Sequence, residues 1–193
     1  MSQSATADGV PLVPGRDPRT CNVCCVALTI QDPALHKPAG IRCRHNRPDN
    51  SCAIYAARPD GCRRFFCGWR PLKWVRETLR PDRSGVPIRM HGEISRQTRA
   101  AKLGVVFTLL DAALLRAEGL AESVAAAVAA DVPVWLNIPE LPGYTSGGVR
   151  INEVLAGPVQ ARDKAALLGI LRRLRKIGIR GEKTKIRLDT EPQ

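Results

Sequence analysis

The residue pattern of this 193-residue chain predicts an α+β fold, a loop-rich cysteine lobe packed on a small sheet with flanking helices. Three features lead there. All seven cysteines fall between Cys21 and Cys67, so the first third differs in kind from the rest. That stretch is crowded with turn formers, whereas beyond it β-branched runs alternate with apolar stripes of helical period. Strand-like and helix-like segments follow one another in mixed order without an internal repeat, the pattern of an α+β body.

From the N-terminus, residues 1–19 are polar and contain Pro11, Pro14, Gly15 and Pro18, which predicts a flexible arm. The cysteine region, 20–74, carries Asp32-Pro33, Lys37-Pro38, Arg47-Pro48-Asp49-Asn50 and Arg58-Pro59-Asp60-Gly61. Loops dominate it, with a short strand at Val26–Ile30 and a short helix around Ala53–Ala57. A segment that buries so little apolar surface needs another source of stability, which metal coordination supplies in small domains.

The body, 75–193, is expected to form one globular unit with that region. A helix is predicted from Pro71 to Leu79, with Pro71 in its first turn and Trp74, Val75 and Leu79 on one face. Gly104–Leu110 reads as a strand, and Val86–Met90 as a weaker one because Pro87 removes a ladder donor. Ala112–Ala130 is an Ala-rich helix broken at Gly119. Val132–Ile138 is a strand that Pro133 places at an edge or at its own start. Leu141–Gly148 (LPGYTSGG) reads as a loop, and Val149–Val154 as a strand or the entry to the next element. Over Ala161–Ile177 an apolar stripe of Leu167, Leu168, Leu171, Leu174 and Ile177 predicts a helix. Gly178 ends it, and Lys183–Leu188 adds a last strand.

A net charge of +12 raises nucleic acid or an acidic protein as a partner. The basic residues are mostly Arg in a chain rich in Ala, Gly and Pro, a usage that a GC-rich genome imposes on any protein. Aromatics make up 4% of residues, leaving few side chains to stack on bases. The N-terminus has no apolar core of a secretory signal. No run reaches the ~18 apolar residues that a membrane span needs. A cytoplasmic protein without membrane association is therefore expected, and no particular partner is identified.

Compartment decides how the thiols are read. Reducing cytosol disfavours disulfides, and an odd number of cysteines leaves one unpaired in any intrachain scheme. Metal is the stronger reading. Thiolates take zinc, cuprous copper and iron–sulfur clusters. Cys21-x-x-Cys24 lets two sulfurs of one tight turn reach a single ion, and Cys62-x4-Cys67 offers a looser pair. The candidate ligands are Cys21, Cys24, Cys25, Cys43, Cys52, Cys62 and Cys67. With His45 they exceed the four ligands of one zinc. Non-ligand thiols, two ions and a cluster all fit the spacing.

These residues resemble a known family. C-x-x-C-C at Cys21–Cys25, followed by SCAIYAARPDGCRRFFCGW from Ser51 to Trp69, is similar to the YkgJ-type, CxxCxxCC cysteine-cluster family. The likeness covers residues 21–74. It implies a zinc- or iron-chelating domain whose biochemical role is poorly defined. By position, Cys52, Cys62 and Cys67 match the distal cysteines and Cys43 the one before them. Cys21, Cys24 and Cys25 match the last three of the proximal motif, whose first cysteine is replaced here by Pro18. That departure makes His45 a candidate substitute.

Plainer readings stand beside each of these. Cys24 and Cys25 are adjacent, so one of them can be a small buried hydrophobe instead of a ligand. His45 lies in the polar run Arg42 to Arg47 and reads first as solvated, and His36 beside Lys37-Pro38 more so. Arg42, Arg44, Arg63 and Arg64 can offset thiolate charge, form a solvated face or bind phosphate. Tyr55, Phe65, Phe66 and Trp69 are expected to form the lobe's core, and Arg58-Pro59 a turn in which Arg58 bonds nearby carbonyls.

The body offers less chemistry. Pro142–Gly148 reads as a surface loop and matches no phosphate-loop pattern. His91-x-Glu93 lacks the following P-C-x-x-C of a zinc deaminase, and no G-x-S-x-G marks a serine hydrolase. The basic C-terminal stretch, Arg172 to Arg187, reads first as the solvated face of the last helix and second as a surface for RNA, DNA or an acidic partner. The leading expectation is a zinc- or iron-binding protein, with zinc first. The alternatives are an iron–sulfur or redox-dependent modifying enzyme and a basic nucleic-acid-binding module. No catalytic residue stands out, and enzymatic activity is left open.

Overall fold

The computed structural model describes residues 6–7, 10–17, 21–94, 101–138, 144–146, 148–177 and 183–185. It has an α+β fold. At the N-terminus β1 (Thr6–Ala7) pairs antiparallel with β2 (Val10–Pro11). The cysteine segment then runs through α1 (Val23–Ala27), β3 (Ile30–Asp32), β4 (Leu35–Lys37) and α2 (Asp60–Arg64). Strands β3 and β4 form an antiparallel hairpin, registered from Ile30↔Lys37 to Asp32↔Leu35.

Two local expectations fail in this segment. Val26 and Ala27 end a helix instead of beginning a strand, and Ala53–Ala57 forms turns while the helix lies at Asp60–Arg64. The helix start is fixed from outside its own sequence. Asp32 Oδ2, on β3, accepts from the Gly61 amide at 2.8 Å, a carboxylate against the N–H groups of a first helical turn.

The body adds a 3-10 turn at Glu77–Leu79, α3 (Pro81–Ser84), β5 (Ile88–Ile94) and β6 (Ala101–Thr108). A second 3-10 turn at Ala112–Arg116 precedes α4 (Leu120–Ala129), β7 (Val134–Asn137), β8 (Tyr144–Ser146) and β9 (Val149–Arg150). Helices α5 (Asn152–Gln160) and α6 (Lys164–Ile177) and strand β10 (Lys183–Lys185) follow. The main sheet has the order β5-β6-β7-β9. Its β5/β6 and β7/β9 pairs are antiparallel and β6/β7 is parallel, so α4 lies in the crossover that a parallel pair requires.

Pro133 lies just before β7, which has neighbours on both sides, so the strand-start reading is the one realised. Gly119 does divide the Ala112–Ala130 pattern. Its φ is +80°, and a Cβ there would lie 2.5 Å from Thr78 Oγ1 and 2.6 Å from Arg76 Cβ. Tyr144–Ser146, expected in a loop, pairs instead with β10. The stop at Gly178 and residues 186–188 of the expected last strand lie outside the described residues.

The helix expected over Pro71–Leu79 is replaced by turns and the short 3-10 element, and Arg16 accounts for the difference. Its Nη1 donates to Trp69 O and, at 3.0 Å, to Leu72 O. Nη2 donates to Val75 O at 2.6 Å, and Nε to Glu77 Oε2 at 3.0 Å. The carbonyls of Leu72 and Val75, which a helix would satisfy internally, are turned toward a buried guanidinium. Val13 N also donates to Arg70 O, so this part of the expected arm is packed against the body. Residues 1–5, 8–9 and 18–20 of that arm lie outside the described residues.

The core follows the two periodicities. Val105 and Phe107 of β6 and Val134 and Leu136 of β7 point inward at period 2. Ile88, Leu120, Val124, Leu155, Leu167 and Leu171 complete it from β5, α4, α5 and α6. Asn152 ties α5 to the sheet by accepting from Val134 N at 2.7 Å and donating to Val132 O at 2.8 Å.

Candidate metal centre

The cysteine segment joins the body at Cys67. This residue forms a β-bridge with Arg89, and Gly68 N donates to Ile88 O at 2.8 Å. A side chain at Gly68 would meet Ile88 Cγ2 at 2.8 Å, and Trp69 beyond it sits in the body's core. The rest of the segment is laced together by backbone and amide groups. Cys43 N donates to Cys25 O at 2.8 Å, and Asn46 N to Cys43 O at 3.0 Å. Asn46 also forms a β-bridge with Cys52. Asn22 Nδ2 donates to Asn46 Oδ1 and Asn50 Oδ1, linking the turn after Cys21 to the same loop.

Lys37 is the unexpected organiser. Only 3% exposed, its Nζ donates to Val26 O, Pro38 O and Ile41 O at 2.7–3.0 Å. One ammonium thereby joins the end of α1 to the loop leading into Cys43. The sequence signal was the period-2 pairing of Leu35 with Lys37 on one face of β4, where a lysine shares the buried side with a leucine.

All seven cysteines are free thiols and line one cavity of about 430 Å³. Leu28, Ile30, Leu35, Ile54, Phe65 and Phe66 supply much of its apolar wall. Among the described residues no Asp or Glu lines it, whereas His45, Arg58, Arg63 and Arg70 do. Cys24 and Cys25 interact with each other in this wall. Among the described residues, no group of three or more His, Cys, Asp and Glu side chains is arranged to hold a metal ion.

The thiols affect one another's protonation. Cys24 is raised, first because its S–H donates to Cys25 and then by burial. Cys25, as the acceptor, is lowered from 9.0 to about 7, with burial opposing and Lys37 and Arg58 assisting. Burial is the largest cause of the upward shifts of Cys21, Cys62 and Cys67. Burial lowers Lys37, and the nearby thiols oppose that shift.

Of the arginines expected beside the thiols, Arg63 lines the cavity, whereas Arg42 and Arg44 do not. Arg42 donates to Arg47 O, and Arg44 Nε to His45 Nε2 at 3.2 Å, both on exposed residues. Arg63 pairs with Asp60 at 3.5 Å, and the Arg64 side chain lies outside the described residues. Lys37 and Arg58 act on Cys25 instead, Arg70 on Cys67 and Arg80 on Cys21. The aromatic core of the lobe is also corrected. Tyr55 is 55% exposed with Arg58 stacked 3.7 Å from its ring centre, and Trp69 belongs to the body. Phe65 and Phe66 line the cavity. Arg58 Nε donates to Tyr55 O, as its turn suggests. His36 is exposed and away from the cavity.

In the body, His91 and Glu93 lie on β5 with side chains outside the described residues. Arg172 and Arg173 are exposed, while Arg180 and Arg187 lie outside the described residues. No described helix is long and apolar enough to cross a membrane. Comparison of the chain with family models, curated proteins and solved structures finds no match. The resemblance to the cysteine-cluster family rests on the motif residues alone.

Proposed function

We propose that the protein binds a thiophilic metal, zinc or iron, through its cysteine segment, as a member of the YkgJ-type cysteine-cluster class. One observation carries this reading. Seven reduced thiols from separate turns and short helices line a single cavity in whose wall, among the described residues, there is no carboxylate. Soft sulfur donors without hard oxygen donors favour zinc, cuprous copper or iron over magnesium or calcium. Cys21, Cys24, Cys25, Cys43, Cys52, Cys62 and Cys67 would hold the metal, and binding would draw them inward from the wall. The metal supplies structural cross-linking, and its binding free energy becomes folding free energy of the segment.

Elemental analysis of untagged protein purified anaerobically tests the reading. At least about one equivalent of zinc or iron is expected, and chelation should release the segment's amides to hydrogen exchange. Less than ~0.5 equivalent would sink it, since a segment folded by its metal retains it. A brown preparation with acid-labile sulfide would move the assignment to an iron–sulfur cluster.

A further inference from the structure

We propose that the turn Val13–Arg16 is a clasp that holds the cysteine segment against the sheet body and so limits access to the thiol cavity. The inference concerns access to the thiols whatever they hold, so it stands or falls apart from the metal reading above.

The clasp begins with a turn that the sequence dictates. In Val13-Pro14-Gly15-Arg16, Arg16 N donates to Val13 O at 3.2 Å, and Gly15 has φ +81°. Proline at the second place and a positive-φ glycine at the third are the pattern of a type II turn. Pro14 and Gly15 stay exposed, while Arg16 turns inward and is 8% exposed. Its guanidinium lies 5.4 Å from the Trp69 ring centre. Its N–H groups reach the carbonyls of Trp69, Leu72 and Val75 and the carboxylate of Glu77. A planar fork of five donors serves that many acceptors at once, as a lysine ammonium with three donors does not. Val13 N adds a backbone bond to Arg70 O at 3.0 Å.

The turn grips the chain just after the last cysteine and leads directly into the first. Arg16 and Trp69 are 53 residues apart in the sequence, and all seven cysteines lie between them. Cys67 comes two residues before Trp69, and Cys21 four after Asp17, so the Cys21 Cα lies within about 15 Å of that of Asp17. The clasp therefore closes the segment into a loop with both ends fixed to one part of the body. The cavity lies at this junction, where its wall joins Cys43, Cys52 and Cys62 of the segment to Arg70, Pro81 and Pro87 of the body. Within itself the segment is bonded through Cys43 N to Cys25 O and through Asn22 to Asn46 and Asn50. At its far end Cys67 bridges to Arg89 on β5. A segment bonded within itself and tied at two ends moves as a unit when one tie is released.

Brief N-ethylmaleimide labelling of the full chain as purified anaerobically, read cysteine by cysteine by mass spectrometry, tests the clasp. Arg16→Met should speed labelling of Cys21 and Cys67 roughly tenfold or more, since several charge-assisted bonds are lost. Gly15→Ala should speed it about fivefold, because the added Cβ meets nothing within 4 Å and only the turn is strained. This milder variant serves if Arg16→Met misfolds, as near-ultraviolet circular dichroism would reveal. In both variants the amides of Cys43 and Val105, bonded to Cys25 O and Pro133 O, should keep their protection from hydrogen exchange. Unchanged labelling of Cys21 and Cys67 in the folded variants would overturn the clasp. So would equal acceleration at the Cys43 or Val105 amide, which marks unfolding of the segment or the body instead of release of one from the other. Metal content of the same samples tests the metal reading separately, and the labelling comparison is made at any content.

Discussion

The cysteine segment and the sheet body reach order by different means. In the body, Val75, Leu79, Ile88, Phe107, Leu120 and Leu136 are almost wholly buried in one apolar cluster. In the segment the buried apolar residues are Ala27, Leu35, Ala39 and Cys43, and beside them Asp32 and Lys37 are equally enclosed. Apolar burial organises the first region and multiply bonded polar groups the second. A core of this kind tolerates little loss of volume. Phe107→Ala is expected to cost about 4 kcal/mol in denaturant unfolding while leaving the metal content of the folded protein unchanged. Equal loss of metal and stability would mean that the two regions share one source of order.

The complementary test lies at Lys37. Lys37→Met keeps the aliphatic stem and leaves the carbonyls of Val26, Pro38 and Ile41 without their shared donor. The expected cost is about 2 kcal/mol, less than full desolvation of three carbonyls because water can reach part of this loop. Hydrogen exchange locates it. The Cys43 amide, bonded to Cys25 O, should exchange faster, whereas Val105 and Phe107 in the sheet should keep their protection. Matching acceleration in β6 would erase the distinction between the regions.

The same contrast explains what could be read from residues alone. The body's strands and the α6 stripe are legible because side-chain periodicity reflects burial on one face. The break at Gly119 follows from a backbone conformation that favours glycine. Pro71–Leu79 misled because its apolar spacing is helical while its Leu72 and Val75 carbonyls accept from Arg16, more than fifty residues away in the sequence. No local pattern carries that information. The cysteines announced their grouping by segregation, and the cavity lined by all seven agrees with it. Their backbone connections were hidden, since spacing does not reveal that Cys43 returns to Cys25 and Cys67 to Arg89. Lys37 was missed because the hairpin that buries it was not predicted.

The smallest effect, and the most local, concerns protonation within the Cys24–Cys25 pair. Cys24 donates its S–H to Cys25, which holds the Cys25 thiol near pH 7 and raises that of Cys24; Lys37 and Arg58 assist the Cys25 shift against its burial. The sign follows directly. A folded value depressed below 9.0 means that folding favours the Cys25 thiolate, a contribution complete above 9.0 and lost as pH falls through about 7. In metal-free protein whose Cys43 amide is still protected from exchange, brief iodoacetamide treatment should label Cys25 half-maximally near pH 7 and leave Cys24 behind, as peptide mass spectrometry would register. Lys37→Met should move that midpoint upward, because it removes one of the assisting positive charges. Equal labelling of the two cysteines, or a Cys25 midpoint near 9, would show that the pair does not share its proton in this way. A Cys25 midpoint that ignores Lys37→Met would assign the shift to Cys24 and Arg58 alone, confining the lysine's part to the carbonyls it binds.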